Sequence, residues 1–402
     1  YTDTENIIHL LLARVEGAPK GTKGISLFIV PKFRDGKDGS PEFNDVTPAG
    51  VYHKMGQHGT PAMHLMYGEK DDCYGYLVGE ENKGLSYMFQ MMNEARIMVG
   101  VGAASIASAA YYASLQYAQE RPQGRRLNNR DLDQPQTLIV NHPDVRRMLL
   151  FQKAIVEGGF GLVMDCARYI DMMEVSEGEE KAEYELLLEL LTPLAKTFPS
   201  EMGLQSVSAG LQIFGGGGFC KDFPLENYYR DIRIYPIYEG TTGIQSQDLL
   251  GRKITMQQGK ALKLFGREVM KSIEVANTYE DMRKYAQKLQ QMLAELQKVT
   301  MHLVGFAMKG DVERFLADAT LYMEMFGIIA VSWQWLKQGV AAKQALIIQN
   351  PQGEELEFYE SKIHTMKFYF AYEAPKIAGL ATRLMDDEVL TIVTESAEKA
   401  IV

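Results

Sequence analysis

The chain has 402 residues, 46% of them hydrophobic, enough for two or three domains around a large core. A net charge of −10 and a pI near 5.4 speak against a surface for nucleic acid or for an anionic membrane. Cys73, Cys166 and Cys220 form no close-spaced pair, which argues against a disulfide framework or a zinc ribbon and suits a reducing, cytoplasmic setting.

In chain order, residues 1–84 read as strands. Ile7–Ala13 and Gly24–Val30 are apolar or β-branched runs, punctuated by Gly17-Ala-Pro-Lys-Gly21 and by Pro31, and Met63–Tyr67 is a further strand. Tyr1 follows no Met and no signal segment, and the first strands have no visible partner before them. The chain is therefore expected to be part of a longer protein, and a mitochondrial address stays open beside a bacterial one. His53, His58 and His64 fall on strand and loop and read as scattered polar residues, so no metal site is expected.

From Leu85 the apolar period becomes helical and runs to about Glu120. Gly100-Val-Gly102-Ala-Ala-Ser105 lies inside that pattern. A dinucleotide fingerprint needs a strand-to-helix turn, so these glycines predict close helix packing. A polar loop (122–140) leads to a helix from Pro143 to Met173, with proline suited to a first helical turn. Residues 176–183 are acidic and expected to be exposed. A third helix runs from Leu186 to Phe214, bent near Pro199, and short helices follow at 225–231 and 242–251. Beyond Thr255, apolar periodicity marks helices over 279–308, 311–342 and 354–385. No uninterrupted apolar run is expected to reach membrane-spanning length; the greasiest, Leu321–Leu336, holds Glu324 and reads as a core helix, as do Trp333, Trp335, Phe368 and Tyr369. The fold class is thus mainly α with a β portion, divided as 1–84, 85–254 and 255–402.

The chemistry concentrates in Tyr235-Pro-Ile-Tyr-Glu-Gly-Thr-Thr-Gly-Ile-Gln245, preceded by Gln212-Ile-Phe-Gly-Gly-Gly-Gly218 and Tyr229-Arg-Asp231. In this order and spacing they resemble the flavin and catalytic segment of the acyl-CoA dehydrogenases. The resemblance extends to nearly the whole chain before Gly251. The stretch beyond it resembles the extension of the larger subfamily that includes 3-methylmercaptopropionyl-CoA dehydrogenase. It implies a remnant of the middle β-domain, a C-terminal helical bundle and an added helical extension. It also implies FAD as cofactor and Glu239 as the base that removes the α-proton of an acyl thioester while hydride passes to the flavin. Such a base must be desolvated and aimed, and Tyr238, Ile237 and Pro236 offer an apolar wall while Gly240 lets the backbone approach a ligand.

Further residues follow from the same resemblance. Asn93-Glu-Ala-Arg96 stands where the family has D-x-x-R facing substrate; Arg96 matches, Asn93 replaces the acid, and a structural ion pair is an equal reading of Arg96. Tyr117-Ala-Gln-Glu-Arg121 matches Y-A-x-x-R, whose Arg reaches the flavin pyrophosphate across a subunit interface, so Arg121 implies at least a homodimer. Gln123 stands in a segment one residue shorter than usual. His142 matches the residue opening the next helix, Gln212, Gly215 and Gly216 match Q-x-x-G-G beside the adenosine half of FAD, and Thr241 matches a phosphate-contacting hydroxyl. Tyr238 and Gly240 complete the substrate side, and Arg230 with Asp231 reads as a structural pair. The implied partners are an acyl-CoA substrate and an electron-transfer flavoprotein. Two alternatives stay open, an acyl-CoA oxidase and a non-catalytic helical acyl-thioester-binding scaffold. No titratable constellation falls in the extension.

Overall fold

The computed structural model describes residues 5–128, 131 and 133–393. The first four residues of the predicted β portion, Asn129, Arg130 and Leu132 of the polar loop, and the last nine residues of the extension lie outside them. The chain forms two compact units, residues 1–95 and 96–402.

The first unit carries strands β1 (Ile8–Ala13), β2 (Ser26–Pro31), β3 (Phe33–Asp35), β4 (Pro41–Phe43), β5 (Val46–Val51), β6 (Met63–Tyr67) and β7 (Tyr76–Val78). β2 lies between β1 and β7, antiparallel to both, with Ile8 opposite Pro31 and Ala13 opposite Ser26. β3–β4 and β5–β6 are antiparallel pairs, and the second slips between Pro48 and Gly50 because a proline offers no N–H to the ladder. Buried Asn44 ties the loops, donating to the carbonyls of Pro31 (2.8 Å) and Tyr74 (2.9 Å) and accepting from Tyr74 N–H. The long helix α1 (Gly84–Glu120) starts here. Its first residue must be glycine, because a Cβ would stand 2.3 Å from the Ser26 carbonyl carbon.

The second unit holds the rest of α1, then α2 (Pro143–Val175), α3 (Gly178–Phe214), α4 (Leu225–Ile232), α5 (Thr242–Gly251), α6 (Met256–Asn277), α7 (Arg283–Met308), α8 (Val312–Leu316), α9 (Ala319–Ile348), α10 (Gly353–Tyr372) and α11 (Lys376–Leu384). The expected proline opens α2. The acidic run 176–183 is exposed over residues 177–181, while Ser176 is buried, and it is helical from Gly178, because Glu179 and Glu180 fall in the first turn of α3, where carboxylates oppose the helix dipole. Helix α6 was missed by the sequence reading, although Leu262, Phe265, Val269 and Ile273 repeat at helical spacing; its first turn is broken by Gln257, Gln258 and Gly259 at positive φ.

Helix α9 packs against α2, α3, α5, α6, α7, α10 and α11, which makes it the axis of the unit. Trp335 is fully buried and donates from Nε1 to the Ala154 carbonyl of α2 at 2.9 Å. A Cβ on Gly158 would meet Val331 at 2.5 Å and the Trp335 indole at 2.7 Å, so glycine admits the ring. Asp165 of α2 accepts from Lys337 and Gln334 of α9, each at 2.6 Å. One hydrophobic cluster draws on residues from Ile97 to Leu384, with Trp333, Trp335, Phe368 and Tyr369 inside it, as the periodicity predicted, and another joins residues from Ala107 to Ile232. The expectation that no segment reaches membrane length needs correction. By length and composition alone, 84–120 and 312–348 do, although 67% of the apolar window of the second is buried inside the protein, as in a core helix.

Gly100 shows why small residues interrupt α1. Pro199 has no N–H to offer the carbonyl of Ala195 one turn before it, and α1 approaches that carbonyl so closely that a Cβ on Gly100 would sit 2.1 Å from its oxygen. Gly102 faces the Tyr235 ring in the same way, at 2.6 Å. Gly100→Ala is therefore expected to destabilise the unit by about 1–3 kcal/mol, through overpacking against backbone that cannot yield. Thermal unfolding of the variant checks this, and an unchanged midpoint would contradict it.

Candidate active site

The Tyr235–Gln245 segment is a tight turn between α4 and α5. Tyr238 N–H donates to Ile234 at 3.0 Å, and Thr242 N–H donates back to the Pro236 carbonyl at 3.0 Å, closing a loop around residues 237–241. At its apex Glu239 sits in the left-handed region (φ 55°), followed by Gly240 at φ 92°. A non-glycine residue in that region costs on the order of 1 kcal/mol or more and persists only where its surroundings hold it. Thr241 caps α5, its hydroxyl accepting from Ile244 N–H at 3.4 Å. Glu239, Tyr238 and Gly240 are half-buried, and Pro236 is buried behind them, so the predicted apolar wall is in part present. The Tyr235 and Tyr238 rings meet edge-on, 5.3 Å between centroids.

Charge gathers beneath this turn. Arg96 of α1 is 4% exposed and faces Asp248 of α5 at 3.8 Å, while Asp248 also binds Arg252 at 2.7 Å. This supplies the ion pair weighed for Arg96, and the Glu239 carboxylate also acts on the guanidinium. Burial, the larger effect, pulls the Arg96 pKa down against those two acids. Lys196 of α3 is completely buried, which pulls its pKa down to about 8 despite the carboxylates of Glu201 and Glu239 nearby. Its ammonium donates to the Gly240 carbonyl at 2.8 Å. Gln245, also completely buried, donates to the Glu239 carbonyl at 2.9 Å. Thr242 hydrogen-bonds the Glu201 carboxylate through its hydroxyl. The sequence reading passed over Lys196, Glu201 and Gln245. The signal was there for Lys196, a lone cation inside the apolar stretch Leu186–Phe198.

A second cluster forms where α1 ends. Arg121 is exposed, its N–H bonded to Tyr117 and its carbonyl to Ile139 N–H, both at 2.9 Å. Gln123 N–H donates to the Thr137 carbonyl at 2.9 Å, and the Gln123 carbonyl meets His142 Nε2 at 2.7 Å, so Arg121, Gln123 and His142 share one loop. Tyr117 stacks on Phe214 at 4.2 Å between centroids, and Phe223 closes edge-on. That stack holds the end of α1 beside the end of α3, where Gln212, Gly215 and Gly216 are exposed. Gly215 takes φ 60°, and a Cβ at Gly215 or Gly216 would meet nothing within 4 Å. The glycines thus border open space rather than protein. Asn93 lies on α1 in the first unit, whereas Arg96 belongs to the second. Arg230 binds Glu226 at 2.8 Å, one turn back along α4, and Asp231 accepts from Asn227 at 2.9 Å. Among the described residues no group of three His, Cys, Asp or Glu is placed to hold a metal ion.

Two family models match the chain: "Acyl-CoA dehydrogenase, C-terminal domain" over residues 82–254, and "Acetyl-CoA dehydrogenase C-terminal like" over residues 265–392. The chain is 37% identical over 392 residues to 3-methylmercaptopropionyl-CoA dehydrogenase of Ruegeria pomeroyi, covering 96% of this chain and 65% of that protein. The chain belongs to the acyl-CoA dehydrogenase family. A butyryl-CoA dehydrogenase of Syntrophomonas wolfei is 35% identical over 94% of this chain and 63% of its own length. The chain therefore spans just under two thirds of these relatives. Among solved structures, Caenorhabditis elegans ACDH-11 in complex with C11-CoA superposes with a TM-score of 0.77 at 20% identity, over 98% of this chain and 60% of that one. An acyl-CoA dehydrogenase from Bacillus anthracis complexed with FAD gives 0.72 at 20% identity, over 98% and 63%. At that identity the likeness carries the fold, which is the mainly α fold with a small β portion that the sequence predicted.

Proposed function

We propose that the protein catalyses the α,β-dehydrogenation of an acyl-CoA thioester with FAD, and that Glu239 takes the α-proton. The observation that carries this reading is the half-buried Glu239 carboxylate on a strained turn, backed by buried cations and walled by Pro236 and Tyr238. A carboxylate held in one place by such a turn can be aimed at the proton it accepts. Tyr238 and Gly240 border the thioester in this reading, with Arg96 close enough for the Glu239 carboxylate to act on it. When bound, FAD accepts the hydride that leaves the β-carbon.

The residues around the second cluster suit such a cofactor. The open space beside Gly215 and Gly216 admits a close-lying group, and the exposed Arg121 guanidinium and Gln212 amide offer donors suited to a pyrophosphate, as does the Thr241 hydroxyl on the Glu239 turn. Gln123 and His142 shape the loop that carries Arg121. Within the family resemblance, Arg121 serves a neighbour's cofactor, so the active unit is at least a homodimer in a bacterial cytoplasm, and an electron-transfer flavoprotein takes up the electrons. Residues 85–254 carry the chemistry, residues 1–84 belong to a middle β-domain, and residues 255–402 stiffen and shape the assembly. No part of this reading uses a membrane span.

Arg121→Ala tests the cofactor side. Because the side chain is exposed, the fold is expected to survive, while FAD is held at least ~10-fold more weakly, as loss of a charge-assisted hydrogen bond implies. Flavin retained per chain after gel filtration is the measurement, and wild-type retention would contradict the assignment. The reading as a whole is tested by mixing the FAD-loaded protein with acyl-CoAs in the absence of oxygen.

A further inference from the structure

The carbonyls of two consecutive residues at the apex of the turn are each taken by a fully buried side chain, and the two side chains come from different helices. Lys196 of α3 reaches the Gly240 carbonyl at 2.8 Å, and Gln245 of α5 reaches the Glu239 carbonyl at 2.9 Å. Between them the chain holds φ values of 55° and 92°, the first on a residue with a full side chain. Such a conformation lasts only where neighbours over-determine it. Gly240 is part of the arrangement, because a Cβ there would stand 2.5 Å from Gln245 Nε2 and push that donor away.

Satisfying a buried carbonyl does not require an ammonium. A water molecule or an amide suffices, and burying a cation costs far more than leaving it in solvent. Lys196 is nevertheless buried completely, with a peptide carbonyl of this turn as its hydrogen-bond acceptor, while Glu201 and Glu239 act on it through space. The Thr242 hydroxyl on Glu201, in the next turn of α3, adds a tie from the same helix to the start of α5.

We propose that Lys196 and Gln245 are positioning residues that lock the Glu239 turn in its left-handed shape and so aim the carboxylate at the α-carbon of the acyl thioester. This rests on Glu239 being the base. Neither side chain touches substrate in this proposal; each acts through the backbone of the turn.

The test uses Lys196→Met and Gln245→Leu, singly and together, in the protein reconstituted with FAD. Two measurements are made on each: amide hydrogen exchange of the peptide covering 236–245, and the limiting rate of flavin bleaching when saturated straight-chain acyl-CoAs are added without oxygen. Each variant is expected to exchange ~10-fold faster in that peptide with α9 unchanged, and to bleach ~10–100-fold more slowly at saturation, with the half-saturating acyl-CoA concentration changed by less than about threefold. That split separates aim from binding and from general loosening. An unchanged limiting rate overturns the proposal, and so does unchanged exchange. If Lys196→Met does not fold, Gln245→Leu decides the matter alone. If the wild-type protein bleaches with no acyl-CoA, the Glu239 reading falls; the exchange measurement then still decides whether these two side chains hold the turn.

Discussion

Glu239→Gln is expected to bind FAD and acyl-CoA normally and to lose flavin bleaching almost entirely, by a factor of at least about a thousand, or ~4 kcal/mol of barrier. The amide has the shape of the carboxylate but cannot accept the proton. The turn itself should survive, because its hydrogen bonds run through the backbone carbonyl of Glu239 and through Gly240, not through the carboxylate. The nearby Lys196 and Arg96 cations lose an anion they act on, so a small change in stability is expected in either direction. Anaerobic single-turnover spectra check the prediction, and bleaching within tenfold of wild type would move the base elsewhere.

The second large effect is structural. Trp335→Ala removes a fully buried indole that threads between α9 and α2 and donates to the Ala154 carbonyl. Truncating a buried tryptophan costs ~3–5 kcal/mol, and Gly158 opposite offers no side chain to fill the gap. Because the cluster around Trp335 takes in residues from both the 96–254 part and the extension, the loss should lower a single unfolding transition, not release the extension alone. For the same reason, deleting residues 255–402 should strip the cover from α2, α3 and α5 and yield insoluble protein. Calorimetry of Trp335→Ala checks the first outcome; two separate transitions, with the 96–254 part melting as before, would contradict it.

Much of this was legible in the residues. The start of α2 at Pro143 and the start of α5 after Thr241 follow from a first-turn proline and a threonine cap whose physics is local. Gly100 and Gly102 were legible as packing glycines because they interrupt a helical stripe; their partners, the Ala195 carbonyl and the Tyr235 ring, were not, since those contacts are set by how helices cross. The breaks at Ala317–Asp318 and at 373–375 split two predicted helices, the second at Pro375, whose ring ends the run before it. Helix α6 escaped because its first turn, with three residues at positive φ, carries no apolar period. In the site, Glu239 and Arg121 are readable as types in a motif. Lys196 and Gln245 are not, because their role depends on two helices converging on one turn from positions 49 residues apart.

The most direct measurement is to load the protein with FAD, add a series of acyl-CoAs without oxygen, and follow both the flavin absorbance and the mass of the thioester. The account predicts rapid bleaching with at least one acyl-CoA and a product lighter by two hydrogens, both lost in Glu239→Gln. Stable yellow flavin and unchanged thioester across the series, with FAD demonstrably bound, would contradict it.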